Sequence, residues 1–124
     1  MDGLKFDLRL YVLVFGVDPL RLFLYNEGLT RLATAPYEPL SADNVEEVRM
    51  HLTNYALNKH ARNFVQNQKA ELDSVGHKRS LKHALRFLAQ RGEDPEKLWA
   101  SIKDLVVKTL AAGLPSLRHA FRSC

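Results

Sequence analysis

Lys5-Phe6-Asp7-Leu8-Arg9-Leu10-Tyr11-Val12-Leu13-Val14 decides the fold, because apolar side chains recur at every second position along it. Successive side chains of a strand point to opposite faces, so Phe6, Leu8, Leu10, Val12 and Val14 share one face and Lys5, Asp7 and Arg9 the other. The first face is core. The second carries three charges in a row and has two readings: the solvated face of an antiparallel sheet, or the lining of a polyanion site. Downstream, Val17-Asp18-Pro19-Leu20 has turn chemistry, since proline presets φ and aspartate bonds its own backbone. Arg21 to Tyr25 is short and β-prone, and Asn26-Glu27-Gly28 supplies a second turn before Leu29-Thr30-Arg31-Leu32-Ala33. The expectation is a meander of antiparallel strands over about 4–34, with Arg31 on its third strand.

Two prolines and no periodicity make residues 35–44 a loop, with a short helical piece expected at Asn44 to Val48. His51-Leu52-Thr53-Asn54-Tyr55-Ala56-Leu57-Asn58-Lys59-His60 is dense in hydrogen-bonding side chains that suit a loop or an irregular strand end better than a helix interior. Residues 63–76 read as a polar, mobile connection without an apolar face. From His77 to Gln90 the period becomes helical, with Leu81, Ala84, Leu85 and Leu88 on one face, and a helix is expected over about 77–91. Its other face gathers Arg79, Lys82, His83 and Arg86, and the segment contains no acid. Exposed helices commonly mix the two signs, so this face is either plainly solvated or a basic contact surface.

Asp94-Pro95-Glu96 starts the next helix, with Asp94 as N-cap and Pro95 at the first helical position. Leu98, Ile102, Leu105, Val106, Thr109 and Leu110 form its expected buried stripe, with Trp99 at the core or its edge. Gly113-Leu114-Pro115 is expected to stop it near residue 112, and a further helical turn or two follows over 116–122. The fold class is α+β, antiparallel strands followed by helices.

At 124 residues, with 46% hydrophobic and 26% charged residues, the chain has the size and balance of one soluble domain. No apolar run approaches membrane-spanning length and the first residues lack the pattern of a secretory signal, so an intracellular protein without a membrane partner is expected. The single cysteine, Cys124, has no internal disulfide partner, in keeping with a reducing compartment. The net charge of +4 is unevenly spread: residues 1–60 hold six Lys/Arg against eight Asp/Glu, residues 61–124 twelve against six. An acidic partner would therefore meet the second half. Phosphate-binding glycine loops, Cys-x-x-Cys and His-Glu-x-x-His are all absent from the sequence. No metal site is expected, since His51 and His60 are too far apart for a helical pair.

Three stretches remain, in order: Lys5-Phe6-Asp7-Leu8-Arg9, Leu24-Tyr25-Asn26-Glu27-Gly28-Leu29-Thr30-Arg31, and His51-Leu52-Thr53-Asn54-Tyr55-Ala56-Leu57-Asn58-Lys59. Together they resemble the tubulin tyrosine ligase-like family, and its polyglutamylase branch more than tubulin tyrosine ligase itself. The resemblance continues through Gly76-His77-Lys78-Arg79-Ser80-Leu81, Leu98-Trp99, Val107-Lys108-Thr109-Leu110 and Leu117-Arg118-His119 to Arg122-Ser123-Cys124, nearly the whole chain.

The resemblance implies an ATP-grasp fold and a ligase that joins an amino acid, glutamate foremost, to glutamate side chains of tubulin C-terminal tails through an acyl phosphate. It implies ATP and Mg2+ as cofactors, tubulin and microtubules as partners, and a cytoplasmic, cytoskeletal location that includes cilia and basal bodies. Residue by residue, it places Lys5 and Asp7 around the adenosine, Arg9 facing the phosphates, and Thr53 and Asn54 at further ATP contacts. Arg31 and Tyr55 match positions that hold the incoming amino acid or the reacting phosphate, Arg9 and Arg31 being the catalytic pair. Lys78 matches an amino-acid contact, although polyglutamylases tend to carry Ser-Lys-Arg-Lys where His77-Lys78-Arg79-Ser80 stands, so His77 and Ser80 depart from the pattern. Arg79, Lys82 and Arg86 are the expected contacts to the acidic tail. The family's upstream lysine-bearing strands and its downstream Asp and Glu-x-Asn magnesium ligands have no counterpart here. Residues 1–124 are thus expected to be the central part of a catalytic domain incomplete at both ends and inactive alone.

Two rivals remain. One is a non-catalytic tubulin- or microtubule-binding fragment that keeps the surface without the chemistry. The other, a nucleic-acid module, lacks the aromatics interleaved with basic residues that stacking requires, so no nucleic-acid partner is expected.

Overall fold

The computed structural model describes residues 1–67 and 73–123. Its architecture is α+β, with an antiparallel sheet in the order β1-β2-β3. β1 is Leu4–Val17 and β2 is Leu20–Pro36, joined by a turn at Asp18-Pro19 where the sequence places one. The alternation of β1 is realised through Val12: Phe6, Leu8, Leu10 and Val12 are half-buried, while Lys5, Arg9, Tyr11, Leu13 and Phe15 are exposed; Val14, expected on the core face, is exposed as well.

The expected meander is corrected at Asn26-Glu27-Gly28, which is no turn but the middle of β2. The third strand is Lys78–Ser80, β3, which pairs with the second half of β2. Leu29 stands opposite Ser80, Thr30 opposite Arg79 and Arg31 opposite Lys78. Asn26-Glu27-Gly28 thus stays extended inside a strand that neighbours β1, and β3 adds a second partner just beyond it, from Leu29 to Arg31.

Short helices α1 (Val48–His51) and α2 (Tyr55–Asn58) follow the sheet hairpin. Helix α1 begins where the expected piece at Asn44 to Val48 ends, after a turn over 42–46. Helix α3 spans Leu81–Ala89, shorter than the expected 77–91 because residues 78–80 are taken by β3. Leu81 and Ala84 are buried, as its periodicity requires. The polar connection expected over 63–76 lies partly outside the described residues, as does Cys124.

Helix α4 spans Pro95–Arg122, with Asp94 accepting from the backbone N–H groups of Glu96 (2.9 Å) and Lys97 (3.2 Å). The expected stop at Gly113-Leu114-Pro115, and the separate helix over 116–122, are corrected: one helix crosses Pro115. Beyond the proline, Arg118 donates to Val17 O (3.1 Å) and to Asp18 (3.3 Å), and Arg122 donates to Asp18 (3.0 Å). These ties supply from outside what the missing proline N–H takes from within. The expected buried stripe holds at Leu98, Ile102, Val106 and Leu110, which are half-buried with Trp99, but Leu105 and Thr109 are exposed.

The chain forms two compact units. One comprises Met1–Arg9 with Glu27–Phe87, the other Leu10–Asn26 with the chain from Leu88 onward. The core of the first gathers Met1, Leu32 and Ala84, with Leu4, Phe6, Leu8 and Phe87 packed against them. The apolar face of β1 and α3 thus share one cluster. Every candidate site residue belongs to this first unit.

Candidate functional site

Lys5, Asp7 and Arg9 emerge from one face of β1, and two of them are tied to other elements. Lys5 Nζ donates to the His51 carbonyl (2.7 Å). Asp7 is gripped by Arg31 of β2: Nε donates to Oδ1 at 3.0 Å, and Nη2 bonds Oδ2. This is the two-point guanidinium–carboxylate geometry that a planar fork favours. Arg9 is exposed and makes no hydrogen bond or ion pair among the described residues.

The register that sets Arg31 against Lys78 gives a second grouping. Arg31, Thr53, Tyr55 and Lys78 line one small pocket together with Asn58, Phe64 and His77. Lys78 Nζ stands 3.5 Å from the centroid of the Tyr55 ring, a close cation–π contact. Like charges directly opposed across a ladder repel. Here Asp7 offsets the charge of Arg31, and the face of Tyr55 receives that of Lys78.

The hydrogen-bonding density of residues 51–60 becomes intelligible around this pocket. Asn54 is the N-cap of α2, its Oδ1 accepting from Ala56 N–H at 3.0 Å, and it does not line the pocket. Asn58, 1% exposed, accepts from Thr34 Oγ1 (2.7 Å) and donates to the carbonyls of Leu52 (2.8 Å) and Asn54 (3.0 Å). His51 bonds the Asn44 carbonyl through Nε2 (2.8 Å). The motif is a bracket fastened to β2 at Thr34 and to β1 through Lys5.

Phe64 and His77 complete the wall. Phe64 meets Tyr55 edge-on at 5.7 Å and stacks on His77 at 5.4 Å. His77 Nδ1 accepts the Val65 N–H (3.0 Å), and the two backbones meet again where His77 N–H bonds Val65 O (3.0 Å). Burial of the His77 ring pushes its pKa below the ordinary value, and the Arg79 guanidinium acts in the same direction. Phe64 escapes sequence reasoning because, with Val65, it lies in a mostly polar stretch that has no apolar period. Asn58 is one of several similar side chains, and its burial has no local signature.

The expected basic helix face is corrected. Arg79 lies on β3, not on α3, and is 7% exposed. Its Nη2 bonds Asp2 at 2.6 Å, its Nε bonds the Gly76 carbonyl at 2.9 Å, and its Nη1 lies 3.4 Å from His83 Nε2. Arg79 thus reaches the surface from the sheet and not from the helix. Lys82 and Arg86 remain exposed on α3 and, with Arg79, line an open cleft that also includes Glu27, Asp73 and Lys78.

Among the described residues no helix is long and apolar enough to cross a membrane. Residues 1–123 match the model of the tubulin-tyrosine ligase family. Over all 124 residues the chain is 52% identical to a probable beta-tubulin polyglutamylase of Tetrahymena thermophila, covering 10% of that protein. It is 49% identical to the mouse tubulin polyglutamylase TTLL13, covering 15% of it, and 48% identical to tubulin polyglutamylase TTLL7 of Xenopus tropicalis, covering 13%. The chain thus spans a small part of the length of each of these relatives.

Proposed function

The chain belongs to the tubulin-tyrosine ligase family, and from that premise we propose that it is the central part of an ATP-grasp catalytic domain in a tubulin polyglutamylase. The reaction is the ATP-dependent addition of amino acids, glutamate foremost, to glutamate side chains in the C-terminal tails of tubulin. Action on microtubules in the cytoplasm, cilia and basal bodies included, goes with that substrate.

The observation that carries the reading is the register that sets Arg31 opposite Lys78 on neighbouring strands, with Thr53 and Tyr55 gathered beside them. With Arg31 paired to Asp7, Lys78 is the cation placed to receive a carboxylate or phosphate, and Arg31 adds its charge from the neighbouring strand. In this reading Arg31, Tyr55 and Lys78 hold the amino acid, while Lys5, Asp7, Thr53 and Asn54 hold the nucleotide. Arg9, exposed beside them, faces its phosphates. ATP, when bound, supplies the phosphoryl group that activates a tail carboxylate as an acyl phosphate. Arg9 and Arg31 then stabilise the charge that develops during transfer, which is where most catalysis of this class resides. Lys82 and Arg86, with the largely buried Arg79 on the wall of the same cleft, offer the acidic tail a salt-sensitive surface.

Magnesium belongs to this chemistry as the ion that bridges and neutralises phosphates. Among the described residues no three His, Cys, Asp or Glu side chains gather to hold a metal, and no step is assigned to one.

Calorimetric titration with glutamate in the presence of a non-hydrolysable ATP analogue tests the reading. Arg31→Ala and Lys78→Ala should each weaken glutamate binding about tenfold or more, the scale of one lost charge-assisted contact. Wild-type glutamate affinity in both variants would overturn it.

A further inference from the structure

His77 has no place in the chemistry outlined above, yet it closes a row of rings that ends at a pocket cation. Its imidazole stacks on Phe64 with an interplanar angle of 26°, Phe64 meets the Tyr55 ring edge-on at 66°, and the Tyr55 face carries Lys78 Nζ at 3.5 Å. All four side chains line the same pocket. A cation over a ring is held by the ring quadrupole and stays in place only while the ring keeps its orientation.

We propose that His77 is a positioning residue which, through Phe64, sets the Tyr55 ring and thereby holds the Lys78 ammonium on its face. Only what Lys78 does for a ligand rests on the polyglutamylase reading; the positioning itself does not.

The far end of the row is pinned by the Val65 N–H bond to Nδ1. That bond requires an unprotonated Nδ1, so the neutral ring carries its proton on Nε2. A second proton must go to Nδ1, where it faces the Val65 N–H and the two donors repel. The charged groups around the ring are also hostile to it: Lys78 and Arg79 follow His77 on β3, and Arg31 lines the pocket from β2. Lys59 Nζ also lies over the Tyr55 ring, at 5.9 Å. Asp7 is engaged by Arg31, Asp2 by Arg79 and Asp73 by Ser80, and neither these nor Glu27, which shares a cleft with Lys78, lines the pocket. Burial, the largest influence, disfavours the protonated ring, the Val65 backbone favours it and Arg79 disfavours it. A proton on Nδ1 breaks the Val65 N–H bond that pins the ring, the stack is released, and Lys78 leaves the Tyr55 face.

Ring currents make this visible in the proton resonances of the Lys78 ε-methylene, which lie upfield of ordinary lysines while the ammonium sits on Tyr55. In the full chain, a pH titration should move them to the ordinary lysine position across the His77 titration, while the methyl resonances of Leu32 and Ala84 in the core stay fixed. His77→Phe keeps the stack without the titrating proton, so its Lys78 signals should remain upfield and become independent of pH. His77→Ala should place them at the ordinary position at every pH.

Lys78 signals in a folded His77→Ala variant that match wild type would overturn the proposal. So would a wild-type titration without inflection, or one in which Lys78 and the core methyls move together. If His77→Ala does not fold, the wild-type and His77→Phe titrations decide. The readout needs neither ATP nor glutamate, so failure here and failure of the polyglutamylase reading are separately visible.

Discussion

Asp7 and Arg31, on neighbouring strands of one sheet, hold each other through two bonds, Arg31 Nε lying 3.0 Å from Asp7 Oδ1 and Nη2 bonding Oδ2. The pair fixes the direction of an arginine that also faces Lys78 across β3. Its side chains are 27% and 39% exposed, so solvent screens the attraction and its share of stability is small. Its value lies in aiming the fork.

Asp7→Asn should therefore cost less than about 1 kcal/mol of stability in a denaturant titration. One amide oxygen becomes a donor that opposes Arg31, so glutamate affinity should fall with little change in thermal midpoint. Arg31→Lys should behave alike, because a point charge cannot bond both carboxylate oxygens. A loss of several kcal/mol with unchanged ligand affinity would make the pair structural instead.

Asn58 tests the bracket. Replacing it with leucine removes the acceptor for Thr34, itself 3% exposed, and the donor to the Leu52 and Asn54 carbonyls. Each orphaned buried group costs about 1–3 kcal/mol, so unfolding free energy should drop by about 2–4 kcal/mol. Asn58→Asp retains the acceptor and loses the donors, and should fall between leucine and wild type. Urea unfolding of the three chains gives the order, and a wild-type midpoint for the leucine variant would contradict it.

The legible parts of this fold are those with local causes. Alternation gives β1, and Asp94-Pro95 gives the start of α4, because strand faces and helix caps act within a few residues. The second half of β2 is hidden in the sequence, since Asn26-Glu27-Gly28 has the composition of a turn, whereas the strand runs on through it beside β1 and meets the distant Lys78–Ser80 from Leu29 onward. Arg79 was misplaced for the same reason: periodicity continues the helix backwards to it, whereas pairing with Thr30 draws it into the sheet. In the candidate site, Arg31, Thr53, Tyr55 and Lys78 were reached through a resemblance and are gathered by the fold into one pocket. Phe64 and His77, which complete that pocket, meet through ring stacking across a dozen residues, and no sequence period marks such a contact.

His77 also predicts how stability depends on pH. Its pKa is lowered in the fold, burial being the main cause, against an ordinary value of 6.5. The unfolded chain thus binds more protons as pH falls, so the contribution is full above about 6.5 and is lost as the pH drops through the lower folded value. The thermal midpoint should decline from neutral towards acid pH, and His77→Gln should flatten that slope. Equal slopes in the two chains would remove His77 from the account.

The last prediction concerns the C-terminal part of α4, which continues through a Gly-Leu-Pro sequence that ordinarily ends a helix. Pro115 gives up one intrahelical bond, and the residues after it are expected to fray unless something outside the helix holds them. Asp18 does so by receiving both Arg118 and Arg122, while the Val17 carbonyl takes Arg118 Nε. These are exposed pairs, so removing them should leave the global midpoint nearly unchanged. Local opening should respond instead. In Asp18→Ala, backbone amides from Ser116 to Arg122 should exchange with deuterium several-fold faster than in wild type, while those from Leu98 to Val106 keep their protection. A uniform change along α4 would mean that the helix opens as one unit, and unchanged exchange beyond Pro115 would mean that the arginine ties do not hold its end.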